Sequence, residues 1–596
     1  MNLEEEYKNR NRTFSEKAEV LGSKYNRISI IRLIYFLIGI GLIIFLFQFS
    51  ILGACLYGFI FLVASVYFIK WHNQFKHQQN HFTALSDINL NELKSINNDH
   101  SNFDQGSEFI DVNHPYSYDL DIFGPHSFFQ SCNRTVTSLG KSCLAQMFIK
   151  ASDTAIIELR QEAIQELSKK LDWRQDFQAI GNQLKDHPAH LNILKSWLGD
   201  PPFVINNKTL NILRYVVPVI SIIGLILAFY IPLVLALLFF IPALLVLKRK
   251  VEEVNDTHLR TTHTEKILAK YAALIEHIER ESFNSKLLQD LKSNFGGNRG
   301  STVKIIKRLS YLISQLNVRH NAFAIILNLI GLWDIQWVAK LEKWKEENGD
   351  QLPKWFSALK EFDALISLGN LDYNHPSWSY PKIQEHGKLT GIGMGHPLIA
   401  RDEMIANDFI MPTSEHIKLV TGSNMAGKST FLRTVALNIV LALSGSKVCA
   451  KEFTLPQLAV YTSMRTTDAL HESTSSFYAE LKRLKIILDA VDRKEQVYFL
   501  LDEILKGTNS KDRHTGSKAL IEQLIKSGGA GIIATHDLEL SSLENKYDGN
   551  LENLCMEVEV KEDQLFFDYK LKKGVSKSFN ATTLMRNMGI KINKDL

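Results

Sequence analysis

A glycine-rich loop with one lysine follows an apolar run in the C-terminal part of the chain. Residues 422–430 are GSNMAGKST, which fits the pattern G-x-x-x-x-G-K-[ST] between an apolar run and a helix-forming segment. In that setting the backbone amides point at phosphate groups, and the helix N-terminus adds positive potential. The loop predicts an ATP site in which Lys428 contacts the β- and γ-phosphates and Ser429 binds Mg²⁺. The loop residues assigned to the nucleotide are Gly422, Ser423, Asn424, Met425, Ala426, Gly427, Lys428, Ser429 and Thr430.

Two acids and a histidine follow further apolar runs. Val497–Leu501 leads into Asp502 and Glu503, and Gly531–Thr535 leads into His536. An exposed Asp-Glu pair is the alternative, but surface acids seldom follow an unbroken apolar run. Asp502 is predicted to hold Mg²⁺ through water, Glu503 to act as general base or to orient the attacking water, and His536 to sense the γ-phosphate. The predicted catalytic residues are Lys428, Glu503 and His536.

These residues require an α/β domain to bring them together. From about Gly391 onward, short aliphatic runs alternate with helical segments, which predicts a mostly parallel sheet with strand ends meeting at one edge. Before that point the apolar residues recur at helical spacing. We expect a long helix over 251–295, a long helical region over 302–345 and a further helix near 355–368.

The C-terminal motifs resemble the ATPase domain of the MutS family of DNA mismatch-repair proteins, a branch of the ABC-type ATPases. The blocks that carry the resemblance are GHPLI from 395, TGSNMAGKST from 421, SSFYAEL from 475, LLDEILKGTNS from 500, ATHDLEL from 534 and FFDYKLKKG from 566. Upstream, LDIFGPHSFFQSCNRTVTSLGK from 120, LRQEAIQEL from 159, and FDALISLGNL from 362 with Ser379–Pro381 are similar to the two ends of the MutS core domain.

The resemblance implies an ATPase that uses ATP and Mg²⁺ in a composite dimer site. Ser475 and Ser476 match the segment that reaches across the family's dimer to the partner's nucleotide, and Asn407 and Phe409 lie in the block that contributes adenine contacts. A homodimer is therefore implied, and DNA is a possible partner. The expected fold is an α/β C-terminal P-loop ATPase domain of ABC/MutS type, preceded by an all-α core and lever domain and two transmembrane helical hairpins.

Two long stretches of the chain contain no charged residue. Leu33–Ile69 and Tyr215–Leu247 are each much longer than the ~20 residues that one spanning helix needs. Each has a break near its middle, at Gln48–Ser50 and at Tyr230–Pro232, which predicts two hairpins of membrane helices. The alternative is a buried helical core, but core helices usually keep a polar face and these have none.

Basic residues flank both hairpins on one side only. By the positive-inside rule, the termini and the ATPase domain face the cytoplasm, and the protein lies in the cell (inner) membrane as a multi-pass protein. The predicted domains are a cytoplasmic head 1–30, hairpin 31–70, polar linker 71–117, core and lever helices 118–213, hairpin 214–248, lever and core helices 249–390, and ATPase domain 391–596.

Composition adds little to these predictions. A net charge of +4 lacks the concentrated positive charge of strong nucleic-acid binders, and the 5 cysteines are too far apart for a disulfide framework. Relative to the MutS family, the mismatch-reading domain and the DNA clamp are replaced by the hairpins. The sequence thus favours a membrane-anchored ATPase that moves its helical arms. The alternative is a membrane-tethered protein that binds mismatched or branched DNA in an ATP-dependent way. A transporter is disfavoured, because the apolar stretches carry no charge.

Overall fold

The computed structural model describes residues 2–297, 300–321, 323–423, 425–465, 476–561 and 564–576. The chain forms two compact units, and each contains segments that are distant in sequence. The first unit comprises Met1–Leu93, Thr135–Lys141 and Lys170–Ala364. The second unit comprises Lys94–Arg134, Ser142–Lys169 and Leu365–Leu596, so two segments from the N-terminal half belong with the C-terminal sheets.

The described residues up to 374 are mostly helical, apart from the irregular stretch 97–127 with its 3₁₀ turn at Ser107–Phe109 and a pair of two-residue strands. In chain order the helices are α1 Leu3–Phe47, α2 Ile51–Ile96, α3 Phe128–Cys132, α4 Ser138–Ile149, α5 Thr154–Ser168, α6 Leu171–Asn182, α7 Pro188–Gly199, α8 Lys208–Leu227, α9 Leu233–Leu237, α10 Ile241–Thr261, α11 Glu265–Arg280, α12 Lys286–Ser293, α13 Thr302–Asn317, α14 Ala324–Gly331, α15 Trp333–Asn348 and α16 Leu352–Asn374.

Helices α1 and α2 form a long helical hairpin. The turn lies at Gln48–Ser50, as the sequence predicts. The prediction of a linker over 71–117 is wrong up to Ile96, because α2 continues through this polar stretch without a break. The physical reason is that Leu85 and Ile88, which share one face of the helix, are buried in a small apolar cluster with Phe14 of α1.

The second apolar stretch is less regular than predicted. Only α8 is a continuous helix of 20 residues, and the remainder is divided between α9, a 3₁₀ turn at 238–240 and the start of α10. Prolines mark two of these breaks, because proline lacks an N–H and is favoured in the first turn of a helix, although Pro218 lies inside α8 without interrupting it. Pro232 precedes α9, and Pro242 lies in the first turn of α10.

Three helices in the described part of the chain are long and apolar enough to cross a membrane, namely α1, α2 and α8. Helices α14 and α15 pass the same criterion as a pair, although they meet at an angle of 77°. The long helical region expected over 302–345 is helical but divided into α13, α14 and α15. The chain turns after α13 and again at Leu332, which has a φ of 48°. The expected helix over 251–295 is likewise divided, into the end of α10, α11 and α12.

The C-terminal part contains two larger sheets and four further helices. The strands are β1 Gly296–Gly297, β2 Gly300–Ser301, β3 Lys382–Gln384, β4 Lys388–Met394, β5 Asn407–Pro412, β6 Ile417–Gly422, β7 Glu452–Pro456, β8 Ala459–Ser463, β9 Val497–Asp502, β10 Ala530–Thr535, β11 Leu551–Lys561 and β12 Gln564–Lys573. The helices are α17 Lys428–Ser444, α18 Ser476–Asp492, α19 Ser510–Lys526 and α20 Leu543–Lys546.

The larger sheet has the order β12-β11-β6-β10-β9-β8. Its strands are parallel except β12, which pairs antiparallel with β11. The mostly parallel α/β domain predicted from the alternating pattern is therefore confirmed. Strands β6, β9 and β10 are buried along their whole length, as expected for central parallel strands covered on both faces. A second sheet, of order β3-β7-β4-β5, completes this part of the chain.

Candidate functional site

The glycine-rich loop connects the end of β6 to the start of α17. Its backbone adopts positive φ at Met425 (70°) and Gly427 (96°), which curls the chain between strand and helix. A Cβ at Gly422 would lie 2.6 Å from the carbonyl oxygen of Met556, and a Cβ at Gly427 would lie 3.0 Å from the Tyr569 ring. The two glycines of the motif are thus required by close neighbours as well as by the phosphates they are predicted to bind.

Lys428, the first residue of α17, is buried and held by its own loop. Its Nζ donates hydrogen bonds to the carbonyl oxygens of Gly422 (2.9 Å) and Ser423 (3.0 Å). Burial lowers the pKa of Lys428 to about 8, although the Asp502 and Glu503 carboxylates oppose this shift. The same Nζ lies 3.3 Å from Nε2 of His536.

Asp502, Glu503 and His536 lie at the carboxyl ends of the neighbouring strands β9 and β10. Asp502 pairs in register with Ala534, two residues before His536. Asp502 is buried, and its Oδ1 has no hydrogen-bond partner within the described part of the chain. A buried carboxylate oxygen needs a partner, so this one fits the predicted role of holding Mg²⁺ through water. Ser429, the other predicted Mg²⁺ ligand, is exposed in the first turn of α17.

Glu503 is fixed by both its backbone and its side chain. Its φ is 50°, and its N–H donates to the Ala534 carbonyl oxygen at 2.9 Å. Its Oε1 lies 2.6 Å from Nε2 of His536, and its Oε2 lies 3.5 Å from the Lys506 ammonium. Hydrogen bonding to His536 lowers the pKa of Glu503 to about 2. The structure thus brings together all three predicted catalytic residues, Lys428, Glu503 and His536.

The lowered pKa of Lys428 makes ATP binding sensitive to pH. Phosphate binding requires the ammonium form, so affinity should fall as the pH rises through about 8 and should be insensitive to Lys428 well below that value. At pH 9 we expect ATP binding to take up a proton. Calorimetry in buffers with different ionisation enthalpies measures this uptake. Lys428→Arg is the matched control, since guanidinium stays charged. Equal uptake by the two proteins would contradict the prediction.

Glu480 of α18 supports the loop that follows Glu503, and the sequence motif did not single it out. It is 9% exposed, and its carboxylate accepts a hydrogen bond from the backbone N–H of Leu505. Burial raises the pKa of Glu480, while that hydrogen bond opposes the shift. The loop needs this support because Leu505, like Glu503, has a positive φ, at 61°. A glutamate inside the SSFYAEL block was the available signal.

Removing the Glu480 carboxylate should destabilise the loop that carries Glu503. We expect Glu480→Ala to lower the free energy of unfolding by about 1–3 kcal/mol, because the Leu505 N–H would lose its partner in a buried place. ATP turnover should fall with it. Glu480→Gln, which keeps an accepting oxygen, is the control and should lose less. Thermal unfolding of the full-length protein measures the difference, and equal unfolding of the two variants would count against this role.

The residues predicted to contact adenine have other partners. The Asn407 amide donates to the Tyr569 carbonyl oxygen (3.0 Å) and accepts from the Leu571 N–H (2.9 Å), so it ties β5 to β12. Phe409 is buried against Phe431 of α17, with ring centroids 5.4 Å apart. These contacts tie both residues to the elements around the loop, and their contact with adenine stays a prediction. Tyr569, which was not predicted, packs beside Gly427 and is 42% exposed.

Some of the remaining predicted nucleotide ligands lie within the described residues, and others lie outside them. Met425 and Thr430 are exposed, and Ala426 is buried beneath the loop. Asn424 and Ser475 lie outside the described residues. Of Ser476 only the backbone is described, as the first residue of α18. The described chain therefore brings the P-loop and the acids of β9 together, while the contribution of Ser475 and Ser476 stays a prediction.

Two aspartates near the start of the core-like segment anchor the ATPase helices. Asp119 is fully buried and lies 2.9 Å from the Arg483 guanidinium of α18. Asp121 contacts Arg465 at 2.5 Å and Arg433 of α17 at 3.2 Å. Removing the partner of the buried Asp119 carboxylate is costly, so this contact fixes α18, while the partly exposed Asp121 pairs link α17 to the same segment.

Comparison with known proteins agrees with these motifs. Residues 418–590 match the sequence family described as MutS domain V. The chain is 32% identical over 235 residues to the DNA mismatch repair protein MutS of Thermotoga neapolitana. The aligned region covers 39% of this chain and 27% of that protein. The chain is 33% identical over 221 residues to MutS of Thermotoga petrophila, which covers 36% and 28%.

A eukaryotic relative gives the same picture. The DNA mismatch repair protein MSH3 of Phaeosphaeria nodorum is 31% identical over 231 residues, which is 37% of this chain and 20% of that protein. The similarity thus spans about a quarter of the length of these relatives and lies in the part of the chain that holds the site. With a P-loop, paired acids and a strand-terminal histidine in one sheet, the C-terminal part of this chain is similar to MutS domain V.

Proposed function

We propose that this chain is a membrane-anchored ATPase that hydrolyses ATP in a site completed by a second copy and thereby moves its helical arms. The observation that carries the proposal is the convergence of Lys428, Glu503 and His536 at the ends of adjacent strands. A buried cation for phosphates beside an ionised acid for water is the arrangement that phosphoryl transfer to water needs. Steady-state ATPase assays on the full-length protein test this activity.

Each residue has a distinct task in the proposed reaction. Lys428 exchanges the Gly422 and Ser423 carbonyls for phosphate oxygens. Ser429 and Asp502 hold Mg²⁺, which supplies charge neutralisation on the phosphates when bound. A carboxylate with a pKa of about 2 is a weak base, so Glu503 orients the attacking water more than it removes a proton in advance. His536 keeps Glu503 in place and lies within reach of the Lys428 ammonium.

The proposal includes a homodimer because one chain contains one P-loop. The family resemblance assigns Ser475 and Ser476 to the partner's nucleotide, and α18 begins at Ser476. Two copies related by a twofold axis complete both sites at once. Light scattering of the detergent-solubilised Glu503→Gln variant tests this arrangement. A monomer at saturating ATP and Mg²⁺ would refute the composite site.

The apolar helices support the membrane anchor. Only 6% of the apolar window of α1 and 11% of that of α2 are buried within the chain, which speaks against the alternative of a buried helical core. Basic residues lie on one side of each hairpin, and the turns at 48–50 and 230–232 carry none. By the positive-inside rule this places both termini and the ATPase domain in the cytoplasm, with the anchor in the inner membrane.

A charge in the middle of α8 tests the anchor. We expect Leu225→Arg to impair membrane insertion of the second apolar region, because a central charge costs about 2.5–3.5 kcal/mol on insertion scales. Leu225 is 45% exposed and lies in the uncharged part of α8. Leu259→Arg is the matched control, because Leu259 is 67% exposed but lies in the charged part of α10. Alkaline extraction and cysteine-accessibility labelling across 212–249 measure insertion. Uniform aqueous labelling would exclude the anchor.

The second candidate function is DNA binding by a membrane-tethered protein. It is favoured by the names of the relatives, which are DNA mismatch repair proteins. The similarity to them covers the ATPase part, so the names bear on the nucleotide site first. Gel-shift titrations with homoduplex, mismatched and branched DNA at two salt concentrations separate the two functions. Tight mismatch-selective binding by the full-length protein favours the tethered repair sensor, and weak salt-sensitive binding to all three favours the ATPase alone.

A further inference from the structure

Helix α14 is a short apolar helix with an exposed face in the first unit. The stretch 321–333 contains no charged residue. On α14 and just before it, Phe323 is 73% exposed, Ile325 69% and Ile326 53%. On this helix Ala324 is buried and Leu327, Leu329 and Ile330 are half-buried, so the exposed face is formed at its start by Phe323, Ile325 and Ile326. A surface of large apolar side chains beside further exposed apolar helices marks a site of interaction with lipid or protein.

The helices next to α14 indicate whether its exposed face contacts lipid or protein. It packs against α8 and α10, whose apolar portions form the second membrane region of the proposed function. The Gln336 side chain of α15 donates to the carbonyl oxygen of Arg214, which precedes the uncharged stretch of α8. The C-terminal end of α14, which we call its base, is therefore level with the residue at which α8 becomes apolar. From there α14 extends alongside the apolar part of α8.

Aromatic and basic side chains surround the base of α14. Trp333 and Trp337 lie with ring centroids 5.3 Å apart, and Tyr311 is 5.8 Å from Trp337. The Lys340 ammonium lies 3.6 Å from the Trp337 ring centroid. Tryptophan, tyrosine and lysine are enriched where a membrane helix meets the headgroups. On α8 the same combination occurs at Arg214 and Tyr215, with the guanidinium 4.6 Å from the ring.

The turn at the base of α14, at Leu332, satisfies its own backbone. Leu332 is fully buried, and its N–H donates to the Asn328 carbonyl oxygen at 2.9 Å. The Asn328 side chain then accepts from the N–H of Asp334 at 2.9 Å. Non-helical backbone at membrane depth is tolerated only when it is buried in protein in this way. The sharp 77° bend is thus compatible with a lipid environment on the outer face of α14.

The length of α14 sets how far it reaches. Its 8 residues are about 12 Å long, whereas the hydrocarbon core is about 30 Å thick. We propose that α14 is a re-entrant half-helix that enters the cytoplasmic leaflet beside α8 and binds phospholipid through Phe323, Ile325 and Ile326. This inference rests on the proposed membrane anchor. The second membrane region is then an assembly of α8, the segments α9 to α10 and α14, rather than a simple hairpin.

Photo-crosslinking to lipid tests the inference. The full-length protein carries p-benzoylphenylalanine at Ile325 and, separately, at Phe323, and is reconstituted in vesicles of phosphatidylethanolamine and phosphatidylglycerol. The reference position is Leu225 in α8, and the control is Leu259, which is 67% exposed in the charged part of α10. We expect phospholipid adducts at Ile325, Phe323 and Leu225 by mass spectrometry, and none at Leu259.

The other outcomes separate this inference from the anchor on which it rests. Adducts at Leu225 without adducts at Ile325 or Phe323 would refute the half-helix and leave the anchor standing. The absence of adducts at all three positions would refute both. Adducts of equal yield at Leu259 would also overturn the inference, because crosslinking would then not follow the apolar surface. Crosslinks from Ile325 to a protein instead of lipid would assign α14 to a protein interface and equally exclude the half-helix.

Discussion

ATP turnover by the Glu503→Gln variant is expected to fall by about a hundredfold to ten-thousandfold, the range typical for losing a positioned acid or base. ATP binding should persist, since Glu503 contacts His536 and Lys506 and lies beyond the loop that holds the phosphates. The pKa of about 2 keeps Glu503 ionised down to acidic pH, so its protonation should not limit the rate between pH 5 and 8. Steady-state phosphate release and equilibrium nucleotide binding measure the two effects.

Glu539→Gln is the matched control for this variant. Glu539 lies three residues beyond His536, and its side chain is 83% exposed. The Glu539→Gln substitution removes the same charge from the same side of the sheet without changing the Glu503–His536 pair. ATP turnover should therefore be unchanged. If Glu503→Gln hydrolysed ATP at the normal rate, Glu503 would not be the residue that acts on water.

Nucleotide binding by the Lys428→Ala variant should weaken by about a hundredfold or more. The ammonium makes charge-assisted hydrogen bonds, each of which contributes about 1.5–3 kcal/mol. The fold should survive, because burial lowers the pKa of Lys428 and the site therefore gains little stability from the charge itself. Titration with a fluorescent ATP analogue measures affinity, and thermal unfolding confirms that the protein remains folded.

Lys526→Ala controls for the loss of a positive charge. Lys526 is exposed in the last turn of α19, and its replacement should leave affinity unchanged. Together with Glu503→Gln, the comparison separates binding from turnover. Retention of normal ATP affinity by Lys428→Ala would show that the loop does not bind the nucleotide phosphates through this lysine.

The strands of the site were predictable almost to the residue. Runs such as 417–420, 497–501 and 531–534 are aliphatic, short and bounded by glycine or polar residues, so one interpretation fits them. The catalytic residues at their ends followed, because carboxyl ends of parallel strands share an edge. Spacing and composition were sufficient here since each residue's role depends on its own strand.

Residues whose roles depend on distant segments could not be predicted in this way. Phe409 occupies a motif position but packs into the core beside Phe431, and Asn407 bonds a strand more than 150 residues away. Glu480 supports Leu505 through a contact between α18 and a loop. No period or local composition encodes such pairings, because they depend on which elements the sheet order places side by side.

The predictions for the helical region differed from the structure for another reason. Composition suggested a linker where α2 continues, since a stripe as narrow as Leu85 and Ile88 is concealed among polar neighbours. Conversely, the periodicity over 302–345 continued through Leu332, although the chain turns there. Gly331 ends α14 there, but a single glycine inside a periodic apolar run is compatible with a continuing helix, so periodicity alone does not reveal the turn.

The continuity of α2 has a mechanical consequence. A helix turns about 100° per residue, so an insertion of one residue between Lys70 and Ile96 would change the azimuth of everything beyond it by that angle. A flexible tether would absorb such a change, whereas a continuous helix transmits it as torsion. The apolar half of α2 and its polar half therefore belong to one continuous helix. The sequence fixes both the length of this helix and the rotational position of each residue around its axis. A rotation of one end of the helix is therefore transmitted to the other end.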